Sequence, residues 1–277
     1  MNFTKKTYIH HYCSLETLFS MVKKKTLWLS DLTESNDPYE DQLVFRLFFE
    51  YLENKGKVNN WEDFAIRMNR RLFDESREAS RIYGMSFSGK YDSFLQWISY
   101  AKSNGVCITF DENELNAYIS NVVCLQKCLA LKKVKYVDVF SDSEIVGKLD
   151  SIYQESDGLI PNCFDPLLDL APLYKTKYWE KEKEYRVVFR NYIEKDSNPC
   201  LPRVEFKGKK CELDYIMKEG VPVFHYEIPL DLKLIKGITI GPKNRLNTRE
   251  LRCLLQLANE DFSLEEDAFA KTKLSCR

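Results

Sequence analysis

Strand-like stretches and stretches with helical spacing alternate irregularly along this chain, and several neighbouring strands have no helix between them. A doubly wound parallel sheet needs a crossover after nearly every strand. The order therefore predicts an α+β fold, with a mixed or antiparallel sheet and peripheral helices. Strands are expected at 7–12, 26–30, 82–88, 105–111, 184–190, 223–228 and 234–240, with 128–139 extended. Helices are expected at 15–24 with Ser14 as N-cap, 38–53, 61–80, 92–103 with Asp92 as cap, 112–121, 141–157 and 248–259 with Asn247 or Thr248 as cap. Residues 158–176 read as irregular. With no repeat or linker, 1–277 reads as one domain carrying a helical insertion at about 38–80, amphipathic through Leu43, Phe45, Leu47, Phe48 and Leu52.

Composition narrows the class. Hydrophobic residues make up 44% and charged residues 30% of 277 positions, which suits a globular chain with a sizeable core. Ten glycines and nine prolines fall well below the usual ~12% share, so packed elements dominate. A formal net charge of −1 argues against dominant attraction to nucleic acid or a membrane surface. The most apolar run, LVFRLFFEYL at 43–52, is broken by Arg46 and Glu50, so no membrane span is expected. The first residues lack the apolar centre of a secretion signal. Nine cysteines at irregular spacing read as reduced thiols of a cytoplasmic protein.

Few motifs carry chemistry. GMSFSGK at 84–90 has the spacing of a phosphate-binding loop. Bulky Met85 and Phe87 and the phenol of Tyr91, where a short hydroxyl would ligate magnesium, set that reading aside. Three histidines (His10, His11, His225), no C-x-x-C and an isolated Cys124–Cys128 pair give no zinc spacing, so no metal is expected. In WEKEKEYR at 179–186, Glu180, Glu182 and Glu184 recur with period two. Extended, they would share one face at about 6.6 Å intervals. That face is either a solvated edge, the plainer reading, or a site that uses a carboxylate. Ser86 and Ser88 alternate around Phe87, while Trp97 and Tyr100 lie three apart on a predicted helix. Phe94, Trp97 and Ile98 would be the core face of that helix.

These pieces, in this order, resemble a large bacterial family known as a domain of unknown function, number twenty-nine seventy-one. The matching stretches are 11–40, MSFS at 85–88, LQWISYAKSNGVCITFD at 95–111, LKKVKYVD at 131–138, KYWEKEKEYRVVF at 177–189 and IKGITIGPK at 235–243. The chain departs from the family at Ser99, where a histidine is frequent, so no role resting on that histidine carries over. The layout also looks like an ADP-ribosyltransferase-type fold with a split sheet. That resemblance implies NAD as substrate. His11, with Tyr12 beside it, would hold the ribose, and Ser86 and Ser88 would line the nicotinamide pocket. Tyr100 or Trp97 would stack on nicotinamide, and Arg186 or Lys102 would pair with the pyrophosphate. Glu184 would stabilise the oxocarbenium-like transition state while Glu182 orients or deprotonates the acceptor. The implied protein is a transferase or NAD glycohydrolase, a toxin or anti-phage effector whose acceptor is protein, nucleic acid, a small molecule or water. On this reading Glu184→Gln, nearly isosteric, abolishes turnover without unfolding the chain.

Two other classes remain open. One is a metal-dependent nuclease with Asp37, Glu40 and Glu184 around a divalent ion. The other is a non-enzymatic binding or sensor module that uses the acidic strand and aromatic helix as an interface.

Overall fold

The computed structural model describes residues 6–32, 42–60, 62–64, 80–120, 129–137, 143–192, 204–206, 209–211, 213–218 and 220–274. The chain starts with β1 (Tyr8–Cys13), α1 (Leu15–Lys24) and β2 (Thr26–Asp31), followed by α2 (Leu43–Asn54) and the long β3 (Ser80–Ser88). Next come α3 (Phe94–Ser99), β4 (Val106–Asp111), α4 (Glu112–Ser120), β5 (Ala130–Lys133), β6 (Lys135–Val137) and α5 (Ser143–Glu155). After α6 (Phe164–Leu170), β7 (Tyr174–Thr176) and a 3-10 turn at Lys177–Glu182 stands β8 (Glu184–Tyr192). The remainder is β9 (Val204–Phe206), β10 (Lys209–Cys211), β11 (Leu213–Lys218), β12 (Val221–Pro229), β13 (Ile235–Ile240), α7 (Thr248–Ala258) and β14 (Phe269–Lys271).

The fold is α+β, as the order of elements predicts. Ten strands form one sheet, with the order β11-β12-β2-β3-β1-β4-β13-β14 and with β8 and β5 extending from β3. All its pairings are antiparallel except β13 with β14. β3 is the branch point. It pairs along its whole length with β8, meets β2 only at Tyr83 and Gly84, and meets β1 only at Ser88.

Local chemistry explains the ends of the helices. The Ser14 hydroxyl accepts from the Thr17 amide at 3.2 Å and starts α1. α7 begins with a capping box, in which Asn247 accepts from the Glu250 amide at 2.8 Å and Glu250 returns the bond at 2.9 Å. Asp92 does not cap α3. It sits at positive φ, and its carboxylate receives the Trp97 indole N–H at 2.8 Å and the Thr272 hydroxyl. α3 is shorter than expected because Lys102 and Ser103 take left-handed backbone conformations. It also buries less: Trp97 is inside, but Phe94 and Ile98 are exposed, contrary to the expected core face. The stretch 158–176, read as irregular, contains α6 and β7. α6 has Pro166 in its first turn, where no intrahelical N–H bond is lost.

Two of the buried apolar clusters among the described residues are large. Ile9, Leu18, Phe87, Val187, Phe189 and Tyr226 belong to the larger one. On the second, α2 packs Leu43, Phe45, Leu47, Phe48 and Leu52 with residues of α5 and α6. The region 43–64 therefore shares its core with 137–174. Most of the predicted 61–80 helix lies outside the described residues, as do Asn36, Asp37, Pro38, Glu40, Cys124 and Cys128. Residues 84–88 are strand, so the phosphate-loop spacing there forms no loop. No helix among the described residues is long and apolar enough to cross a membrane.

Candidate active site

β8 alternates. Val187 and Phe189 enter the larger core, while Glu184, Arg186 and Arg190 occupy the opposite face, where all three are buried. A charge in that position needs a partner, and each has one. Arg186 grips Glu184 through Nε at 2.6 Å and through its second terminal nitrogen at 3.1 Å, and donates to the Pro172 carbonyl at 2.9 Å. Arg190 pairs with Asp165 and, at 3.1 Å, with Asp169 of α6.

The three glutamates do not share a strand face. Residues 177–182 wind as a 3-10 turn, and Lys183 reverses the chain in a left-handed conformation. Glu180 is left in solvent beside Lys183, 3.5 Å away. Glu182 and Glu184 turn inward, at 3% and 5% exposure, and the solvated-edge reading fails for both. They meet at one ammonium: Lys175 Nζ lies 3.0 Å from Glu182 Oε2 and 2.8 Å from Glu184 Oε2. The Tyr100 hydroxyl donates to the remaining oxygen of Glu182 at 2.7 Å. Two anions and two cations thus form a buried, neutral cluster. Burial alone would raise the Glu184 carboxyl, but Arg186 and Lys175 outweigh it and hold the group below the usual range. Tyr100 moves the other way, through burial and the adjacent Glu182, and stays a protonated donor.

Half-buried aromatic rings border this cluster. Tyr100 covers Glu182, the Tyr136 hydroxyl accepts from the Glu184 amide at 2.7 Å, and Trp179 lies with Lys175 Nζ 5.4 Å from its ring centre. The result is a buried charge cluster bordered by three half-buried aromatic rings.

Strand register decides which other predicted residues join it. Thr109, His10, Ser88 and Glu184 lie directly opposite one another across β4, β1, β3 and β8, forming a polar row on one face. His10 Nδ1 and Thr109 Oγ1 are 3.1 Å apart, and burial pushes His10 down to about 4, so its ring is neutral. His11 points to the other face, with Ile9 and Cys13, and its Nδ1 bonds the Ser86 carbonyl at 2.9 Å. Ser88 donates to the Glu182 carbonyl at 2.6 Å and accepts from the Lys90 amide at 3.0 Å, which fixes the turn that presents Glu182. Tyr12 is buried, donates to the Lys90 carbonyl at 2.8 Å and meets Trp97 edge to face at 5.0 Å. Trp97 is fully buried, and its faces are used in packing. Of the predicted set, Glu182, Glu184, Arg186, Tyr100 and Ser88 come together. Ser86 is half-buried on the same face of β3, whereas His11, Tyr12 and Trp97 lie elsewhere.

Both oxygens of Glu184 are held by Lys175 and Arg186, so a divalent ion at Glu184 would have to displace a cation, and the other two predicted ligands, Asp37 and Glu40, lie outside the described residues. Sequence reasoning missed Lys175, Tyr136, Trp179 and His10. Only the placement of Lys175 and Trp179 within KTKYWEKEKEYR gave a local signal.

Residues 96–187 match the family model described as Protein of unknown function (DUF2971). The match supports the resemblance read from the sequence, and its span includes Tyr100, Tyr136, Lys175, Trp179, Glu182, Glu184 and Arg186. No curated protein and no solved structure matches the chain.

Proposed function

We propose that this chain cleaves the nicotinamide–ribose bond of NAD, as an ADP-ribosyltransferase-like enzyme or NAD glycohydrolase. The observation that carries the reading is the buried Glu182–Lys175–Glu184 cluster beneath the rings of Tyr100, Tyr136 and Trp179. Bond cleavage sends the electron pair out with nicotinamide and leaves an oxocarbenium-like ribosyl group, which fixed negative charge stabilises. Glu184, held ionised by its two cations, is that fixed charge. Glu182, reached past Tyr100, aligns the ribose hydroxyl and takes the proton of the attacking water or acceptor. The bordering rings pack against nicotinamide and exclude water. The role of histidine at the ribose passes to neutral His10, whose row ends at Glu184.

A second reading, a non-enzymatic binding module with the cluster as scaffold, is favoured by one observation. Every oxygen of Glu182 and Glu184 already receives a cation or a hydroxyl.

The deciding experiment incubates the protein, with and without cell extract, with NAD labelled on its adenylate part and follows nicotinamide release and label transfer. Release is expected from the wild type and from the exposed control Glu180→Gln, and is expected to be lost in Glu182→Gln and reduced in Tyr100→Phe. No release under any condition, or undiminished release from Glu182→Gln, would overturn the enzymatic reading.

A further inference from the structure

Three strands away from β8, on the β11–β12 hairpin, stands a group of side chains that the proposed reaction does not use. The antiparallel register puts Asp214 directly opposite His225. Glu227, two residues further along β12, shares the face of His225. The ligand atoms of these three residues lie within 4.8 Å of one another. His225 is 1% exposed, and among the described residues neither of its ring nitrogens has a hydrogen-bond partner. A buried polar group in that state is costly unless something else satisfies it. Its Nε2 stands 3.7 Å from Glu227 Oε1, too far for a hydrogen bond. Two ligands each ~2.0–2.1 Å from one tetrahedral metal ion lie ~3.3–3.5 Å apart, so only a few tenths of an ångström separate this pair from joint coordination.

We propose that Asp214, His225 and Glu227 bind a divalent transition-metal ion of the zinc type, with one position left for water. The ligand set decides the class. An imidazole with two carboxylates suits zinc and its neighbours better than magnesium or calcium, which favour all-oxygen shells. Charge agrees. Two carboxylates stand here, and the Lys24 ammonium lies 2.6 Å from Glu227 Oε1. Lys24 is 46% exposed at its side chain, so water can hydrate its ammonium when the ion takes its place. Trp28 reports on the site, because its ring lies 4.4 Å from that of His225, at 30°.

The inference is independent of the NAD reading and needs no activity to test. The full chain is titrated with zinc chloride by calorimetry, and with cobalt chloride while tryptophan fluorescence is followed. One zinc per chain is expected, with magnesium binding more than ~10-fold weaker and cobalt quenching fluorescence that Trp28→Phe removes. Asp214→Asn and His225→Gln should each weaken zinc by more than ~10-fold. Asp214 is exposed, so its variant keeps the test valid if the His225 variant does not fold. Lys24→Met should tighten zinc by removing the competing cation. Absence of zinc binding by the wild type, binding unchanged in Asp214→Asn, or an equal preference for magnesium would overturn the proposal.

Discussion

The Arg186 guanidinium holds the Glu184 carboxylate with two nitrogens, at 2.6 and 3.1 Å, from two residues further along the same strand face. The pair is buried and shares Lys175 with Glu182, so it is part of the interior. Removing one member leaves uncompensated charge in a medium that solvates it poorly.

Glu184→Gln is therefore expected to destabilise the fold by about 3–5 kcal/mol, despite its near-isosteric shape. This replaces the sequence-based expectation of an intact fold. Adding Lys175→Met restores the charge balance and should recover part of the loss. Urea unfolding of the three proteins measures both effects, and an unchanged midpoint for Glu184→Gln would refute the argument.

Acid should act in two windows. The unfolded chain binds more protons than the folded one at both groups, so stability rises with pH in each window. His10, at about 4 when folded against 6.5 unfolded, contributes stability that is complete above pH 6.5 and is lost as pH falls toward 4. Glu184, depressed below 4.5, contributes stability that is present above 4.5 and is lost as pH falls through its lower folded value. Unfolding curves from pH 7 to 3 should flatten in the upper window for His10→Gln and in the lower one for Glu184→Gln.

Leu18 is fully buried in the larger core. Leu18→Ala should cost about 2–5 kcal/mol in urea unfolding, the range for a leucine truncated inside a core that relaxes only partly.

Gly105 closes the approach of β4 to β1. A Cβ built there would lie 2.0 Å from the Cys13 carbonyl oxygen and 3.0 Å from that of Ala101. Both obstacles are backbone and cannot rotate away. Gly105→Ala is expected to lose more than the ~1–3 kcal/mol usual for overpacking, read as a large fall in Tm or in soluble yield.

Local sequence determined much of the scaffold. Ser14 and Asn247 start α1 and α7 where the chain itself places a cap before a helical pattern. The alternating stretches around Ile9, Phe87 and Val187 became strands because period-two patterning and β-branched or aromatic side chains are local properties. The scarcity of crossovers determined the α+β class. What lay beyond the sequence was set by pairing over long separations. His10 and His11 are adjacent and chemically identical, and only the register of β1 against Ser88 puts His10 in the row that ends at Glu184. The even spacing of Glu180, Glu182 and Glu184 suits a strand, but a 3-10 turn and the reversal at Lys183 divide them between solvent and interior. Asp214 and His225 meet only through the hairpin register. Backbone propensity is set within a few residues. The face a side chain shares, and the charge it meets there, are set by whichever strand the whole sheet places beside it.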